Sequence, residues 1–354
     1  AIELARGGLG WTSPNPLVGA VIVKNGRIIG EGYHERCGEL HAERNAIASL
    51  TESAEGATLY VTLEPCCHYG KTPPCTEAIL EQKIARVVIG SRDPNPLVAG
   101  KGAAILRAAG VRVEEDFMRE ECDALNPVFF HYITKKTPYV VMKYAMTADG
   151  KIAARTGDSK WITGESARKK VQELRHQYMG IMAGIGTVLA DDPMLNVRIP
   201  GLKSPVRIIC DSGLRIPMDS KIVQTAKEYR TIVAYAGEHS GEGCKEAEEK
   251  EEQLHAAGVE TVSVPDAAGR VDLRKLMEYL GKQSIDSVLL EGGGTLNDAA
   301  LSAGIVNEIC AFIAPKIFGG AGAKTPVSGI GVAHPAEAVM LTLRQMETIG
   351  DDLM

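Results

Sequence analysis

Residues 64–75 read EPCCHYGKTPPC, which places three thiols and an imidazole in one proline-bounded loop. No other feature restricts the fold as much. Soft donors packed this closely either hold a metal ion or form disulfides, and each outcome fixes which segments must converge. A disulfide framework is the poorer reading. Of the eight cysteines, Cys37, Cys122, Cys210, Cys244 and Cys310 stand alone, and a chain of 354 residues can build its core without cross-links. A reducing, cytoplasmic setting and a metal site therefore lead the expectations.

The loop has a partner upstream. His41-Ala42-Glu43 opens an apolar helical run, and Glu64-Pro65-Cys66 with Cys75 follows. An H-x-E element followed by P-C and a second cysteine is the donor pattern of zinc deaminases. One imidazole and two thiolates give Zn²⁺ three protein ligands and leave a fourth position open, as catalytic rather than structural zinc requires. With two thiolates the ion is formally neutral, so a neighbouring base is useful, and Glu43 suits proton transfer. Positions 41 and 43 of a helix point about 200° apart, which separates the ligand from the base. Cys75 follows two prolines at a helix start, where the dipole favours a thiolate. Taken singly, His41 reads as an ordinary helix residue and Cys66 as a buried thiol; the combination carries the reading. Cys67 competes with Cys66, but the Pro-Cys position favours Cys66. Cys37 and His68 are spare donors read as non-ligands.

Around this loop, secondary structure alternates. LVGAVIVKNGRIIGEGYH gives two β runs about Asn25-Gly26, a strong hairpin signal. HAERNAIASL predicts a helix, ATLYVTLEP a strand, PPCTEAILEQKI a helix, ARVVIGSRDPN a strand, 100–109 a helix and VRVEEDF a strand. The rhythm indicates an α/β layer structure with partly parallel strands. A boundary falls near Pro138, after the polar Lys135-Lys136-Thr137, giving domains 1–137 and 138–354. YVVMKYAMTADG starts a second α/β domain, with strands at PVRIICD, RTIVAYAG, VETVSVP, IDSVLLEGG and NEICAFIAPKIFG. Between IDSVLLEGG and the following helix, Gly292-Gly293-Gly294 reads equally as a phosphate site and as a tight turn. MAGIGTVLADDP is a second Gly-rich turn from strand into loop. The acidic run KEAEEKEEQL reads as a solvated helix face. PNPLV occurs at 14–18 and again at 94–98, which marks two turns rather than a duplication.

The bulk numbers exclude other classes. A formal charge of −6 disfavours nucleic-acid coating. The uncharged, Gly-rich stretch 179–190 is too short for the roughly 20 apolar residues of a membrane span. The first ten residues lack the basic and apolar regions of a signal peptide. Aromatics make up only 5%, so the cores are expected to be aliphatic.

SPNPLVGAVIVKNGRIIGEGYH, HAE, LEPCCHYGKTPPC and RDPNPLVAGKG together resemble the bacterial bifunctional riboflavin biosynthesis family, over nearly the whole chain. The family joins a diaminohydroxyphosphoribosylaminopyrimidine deaminase to a 5-amino-6-(5-phosphoribosylamino)uracil reductase. The resemblance implies an N-terminal cytidine-deaminase-like α/β/α sandwich and a C-terminal dihydrofolate-reductase-like α/β domain, with a closing strand beyond LRQMETIGDDLM. It implies zinc on His41, Cys66 and Cys75, with Glu43 as proton shuttle. Asn15 then meets the pyrimidine edge, or is simply a turn residue between prolines. Lys71 meets the substrate phosphate, or is an exposed loop lysine. KYAMTADGKIA, TGDSKWITG, GIGTVLADDPML and EGGGTLND resemble the reductase motifs. They imply that Ala145, Trp161, Thr187, Asp191, Gly293, Gly294 and Thr295 line an NADPH site. Lys143, Ser159, Arg175, Leu195, Arg198 and Glu291 fall at substrate positions. Arg175 and Arg198 make chemical sense as a clamp on the ribose 5-phosphate, although surface pairing explains either alone. The implied reaction is hydrolytic loss of ammonia from the pyrimidine, then reduction of the ribosyl group to ribityl by NADPH. The expected partner is this small phosphoribosylaminopyrimidine, in a homo-oligomer (dimer or tetramer). The rival readings are a lone deaminase with a regulatory nucleotide domain, and a zinc-stabilised interaction module.

Overall fold

A computed structural model describes residues 1–70, 73–237 and 244–354. The chain divides into two compact units, Ala1–Lys136 and Thr137–Met354.

The first unit is built on β1 (Gly19–Lys24), β2 (Arg27–Tyr33), β3 (Thr58–Leu63), β4 (Arg86–Ser91) and β5 (Arg112–Glu114). Its helices are α1 (Ile2–Ala5), α2 (Ala42–Ala48), α3 (Cys75–Glu81), α4 (Lys101–Ala108), α5 (Arg119–Asp123) and α6 (Pro127–Lys135). The sheet order is β2-β1-β3-β4-β5, with β1 antiparallel to its two neighbours and β3, β4 and β5 parallel. The Asn25-Gly26 hairpin is present, and both residues have positive φ (50° and 74°), as a type I′ turn demands. Ala20, Ile22, Leu59, Val61, Val87 and Ile89 of the sheet pack against Ala46 of α2, Ile79 of α3, Leu106 of α4 and Phe129 of α6. The core is aliphatic, as the composition requires.

The second unit carries β6 (Tyr139–Thr147), β7 (Gly180–Gly184), β8 (Val206–Cys210), β9 (Thr231–Tyr235), β10 (Val259–Ser263), β11 (Ser287–Leu290), β12 (Val306–Ala314), β13 (Thr348–Ile349) and β14 (Asp352–Leu353). Its helices are α7 (Glu165–Gln177), α8 (Ile185–Asp191), α9 (Lys221–Gln224), α10 (Cys244–Ala256), α11 (Leu273–Lys282) and α12 (Gly294–Ser302). The sheet order is β10-β9-β8-β7-β11-β6-β12-β14-β13, parallel from β10 to β12 and antiparallel beyond. Alternate residues of its strands feed two separate cores. Met182, Ile208 and Ile232 pack with α11, while Ile181, Ile209 and Val233 pack with α8 and α9. A parallel sheet covered on both faces needs such continuous apolar runs. The Gly-rich segment at 182–193 departs from the sequence expectation: the chain passes from β7 straight into α8, capped by Gly184, with no intervening loop. No helix among the described residues is long and apolar enough to cross a membrane.

One arginine lies wholly inside this unit. Arg207 on β8 has no exposed surface, and its guanidinium makes six hydrogen bonds. Acceptors are the hydroxyls of Thr231 and Thr225 and the carbonyls of Met194, Ile222 and Tyr229. Burial lowers its pKa to about 10, so it stays charged at neutral pH. Arg207→Ala strands three carbonyls and costs roughly 3–5 kcal/mol, read as a lower urea midpoint, and Arg207→Lys recovers part of the loss.

Candidate active sites

His41 is the N-cap of α2, in extended backbone (φ −74°, ψ 162°), one residue before the helix rather than within it. That placement lets its ring leave the helix axis toward the cysteine loop while Glu43, inside the first turn, points into the protein. Nδ1 of His41 lies 3.4 Å from Sγ of Cys66 and 3.4 Å from Sγ of Cys75. All three donor atoms fall within 4.8 Å of one another. In a tetrahedral zinc centre with ordinary Zn–N and Zn–S bonds, the N···S edge is about 3.5 Å. The donor set fits the ion without rearrangement.

Electrostatics sharpen the cluster. A hydrogen bond from the Cys75 thiol, aided by His41 and the Cys75 amide 3.3 Å from the sulfur, pushes Cys66 down to about 4. The hydrogen bond it shares with Cys66, then burial, pushes Cys75 up. The first amides of α3 point at Cys66, since Cys75 N–H reaches its sulfur and Thr76 N–H its carbonyl at 3.2 Å. Glu43 is 3% exposed; burial, then the Cys66 charge, raises its pKa. A carboxyl raised in this way is suited to carrying a proton near neutral pH.

Asn15 sits beside this centre through His34. His34 Nδ1 faces the Leu40 carbonyl at 3.0 Å, so it must donate, and Nε2 accepts from Asn15 Nδ2 at 3.1 Å. The amide oxygen of Asn15 is thereby left to other donors. The His34 ring meets that of His41 edge-on, with centroids 5.4 Å apart. Lys71 lies outside the described residues. Sequence reasoning passed over His34, Arg44, Glu64 and Asp93. Arg44 donates to the carbonyls of Pro73 and Pro74. The Glu64 carboxylate accepts from Gly100 and Ala103 at the start of α4. Burial, opposed by the Asn95 amide and helped by Glu64 and Cys66, lifts Asp93 to about 6. The signal for Arg44 and Glu64 was adjacency: each flanks a residue already singled out.

In the second unit Glu291 follows β11 and forms a buried cluster with Arg175 of α7 and Lys143 of β6. Arg175 grips Glu291 in a two-pronged pair, Nε to Oε1 at 2.7 Å and Nη2 to Oε2 at 3.0 Å, and Nη1 donates to the Asn196 carbonyl at 3.1 Å. Lys143 Nζ stands 3.6 Å from Oε2. Burial would raise the Glu291 carboxyl, but the two cations hold it at about 2. The two arginines expected as a clamp have different settings. Arg175 is committed to Glu291, whereas Arg198 is exposed, with its backbone N–H on Gln172. Leu195 is buried with a φ of 48°, at the bend that turns Asn196 toward Arg175.

Among the expected cofactor residues, Ala145 is half-buried on β6, and Thr187 and Asp191 lie on α8. Gly293 caps α12, with Gly294 and Thr295 in its first turn. A Cβ on Gly294 would sit 2.3 Å from Ser328 Oγ and 2.7 Å from the Thr325 carbonyl, so only glycine fits there. Ser159 is half-buried, and the exposed Trp161 ring lies under the Arg168 guanidinium at 4.8 Å. Glu291, α8 and α12 all follow the carboxyl ends of parallel strands, where open α/β sheets bind ligands.

Residues 138–354 match the RibD C-terminal domain, and 1–91 match the cytidine and deoxycytidylate deaminase zinc-binding region. The chain belongs to the RibD family. The riboflavin biosynthesis protein RibD of Actinobacillus pleuropneumoniae is 58% identical over 354 residues, covering all of this chain and 92% of that relative. Among solved structures, Acinetobacter baumannii RibD (form 1) is 38% identical with a TM-score of 0.87, covering 100% of this chain and 95% of that one. A Thermotoga maritima diaminohydroxyphosphoribosylaminopyrimidine deaminase/5-amino-6-(5-phosphoribosylamino)uracil reductase is 39% identical, with a TM-score of 0.86 and the same coverage. RibD membership carries the fold: a cytidine-deaminase-like domain followed by a dihydrofolate-reductase-like domain.

Proposed function

We propose that this RibD-family chain is a bifunctional enzyme of riboflavin biosynthesis, with a zinc-dependent deaminase in 1–137 and an NADPH-dependent reductase in 138–354. The first domain removes ammonia from 2,5-diamino-6-(5-phosphoribosylamino)pyrimidin-4-one. The second reduces the ribosyl group of the resulting uracil to ribityl. The observation that carries the first step is the paired 3.4 Å approach of His41 to two sulfurs, beside a buried carboxyl.

In this reading His41, Cys66 and Cys75 hold zinc. When bound there, the ion supplies the Lewis acidity that makes water nucleophilic near neutral pH. Glu43 accepts the proton from that water and returns it to the departing amine. Asn15, with its Nδ2 taken by His34, offers its oxygen to a ring or amine N–H of the pyrimidine. Lys71 is assigned to the substrate phosphate.

In the reductase, Ala145, Trp161, Thr187, Asp191, Gly293, Gly294 and Thr295 line the cofactor site, and NADPH supplies hydride to the sugar carbon. Lys143, Ser159, Leu195 and Glu291 position the ribosyl chain. The exposed Arg198 is the phosphate contact, while Arg175 orients Glu291. A homo-oligomer and a cytoplasmic setting belong to the same reading. The exposed apolar side chains between Ile330 and Met346 support the first, and the free described cysteines support the second.

A coupled assay on the diaminopyrimidine phosphate, following ammonia and NADPH together, tests the whole. With a zinc chelator, ammonia release stops, whereas NADPH oxidation on the already deaminated intermediate continues. NADPH left unconsumed by that intermediate would reduce the second domain to a regulatory module.

A further inference from the structure

We propose that Arg44 is a positioning residue of the zinc centre, clamping the C-terminal limb of the cysteine loop so that Cys75 meets the metal already oriented. This rests on the zinc reading above. The zinc-deaminase pattern spaces its cysteines by two residues. Here the spacer runs from Cys67 to Pro74, and a longer closed loop is harder to hold in one geometry. Its last two residues before the ligand are Pro73 and Pro74, which have no N–H to donate. Only their carbonyls can anchor that limb.

Arg44 takes both. Its Nε donates to the Pro73 carbonyl at 3.1 Å and its Nη2 to the Pro74 carbonyl at 2.9 Å. Pro74 is also the N-cap of α3, so the grip on its carbonyl falls at the start of the helix that carries Cys75. The rigid fork of a guanidinium suits two successive carbonyls, whereas an ammonium presents one point of charge. The Cys75 and Thr76 amides tie the two cysteines to each other, and Arg44 ties that pair to α2. Arg44 also follows Glu43 in α2, whose N-cap is His41. One helical turn therefore carries a ligand, the proton shuttle and the grip on the other ligand's loop. Through Arg44, the position of Cys75 is tied to that of His41 rather than to the loop alone.

The test measures zinc release to a chromogenic chelator and the Co²⁺-substituted absorption spectrum of the full chain, with NADPH oxidation as an independent check on folding. Arg44→Ala is expected to release zinc roughly 10–100-fold faster and to weaken the sulfur-to-cobalt band, with reductase activity at the parental level. Arg44→Lys, which keeps the charge but loses the fork, is expected between the two. Where Arg44→Ala fails to fold, Arg44→Lys alone decides: a parental release rate overturns the two-carbonyl clamp. A parental rate and spectrum for Arg44→Ala overturns the proposal outright. Absence of zinc from the parent chain itself would strike the zinc reading instead.

Discussion

Glu43→Gln lowers ammonia release by roughly 10²–10⁴-fold while leaving zinc bound and the deaminated intermediate reduced at the parental rate. The substitution is nearly isosteric, so the packing that leaves Glu43 only 3% exposed survives. Its carboxyl is lost and with it the ability to carry a proton. None of the three donor atoms belongs to Glu43, so metal content is preserved. The reductase cluster of Lys143, Arg175 and Glu291 lies in the other compact unit and keeps its geometry. Metal analysis, ammonia release and NADPH oxidation on one preparation check all three parts. Undiminished ammonia release would remove Glu43 from the proton path.

What the sequence could reveal followed from how local the physics was. Asn25-Gly26 announced its hairpin because a two-residue turn with positive φ at both positions depends on those two residues alone. The cluster of His41, Cys66 and Cys75 was legible because metal chemistry restricts residue type so sharply that the three stand out before any fold is known. The buried triad of Lys143, Arg175 and Glu291 is different. Its members come from β6, α7 and the end of β11, and only the parallel order of β7, β11 and β6 unites them. Nothing local marks Arg175 as the partner of Glu291, so a phosphate clamp with Arg198 was the natural expectation. The setting of the two sulfurs was hidden for a related reason. The dipole at the start of α3 was correctly foreseen, but which sulfur its amides face depends on how the loop closes.

Glu291→Gln is expected to destabilise the reductase unit by roughly 3–5 kcal/mol at neutral pH and to abolish NADPH oxidation with it, because two buried cations lose their counter-charge. The acid limb gives an independent reading. Glu291 has an ordinary carboxyl pKa of 4.5 and is held at about 2 in the folded unit. A depressed carboxyl stabilises the fold above its unfolded value and ceases to do so as pH falls through the folded one. The contribution, about 3 kcal/mol near pH 7, is therefore lost between about pH 4.5 and pH 2. In Glu291→Gln the stability difference from the parent should be full at pH 7 and shrink toward pH 2, as urea midpoints across that range can show. Replacing the main pair together, by Glu291→Leu with Arg175→Met, should recover part of the stability without recovering reduction, since apolar packing relieves an unpaired charge but orients no sugar. Equal midpoints for Glu291→Gln and parent at pH 7 would mean that the Arg175–Glu291–Lys143 cluster does not support the fold, leaving any role it has to the chemistry alone.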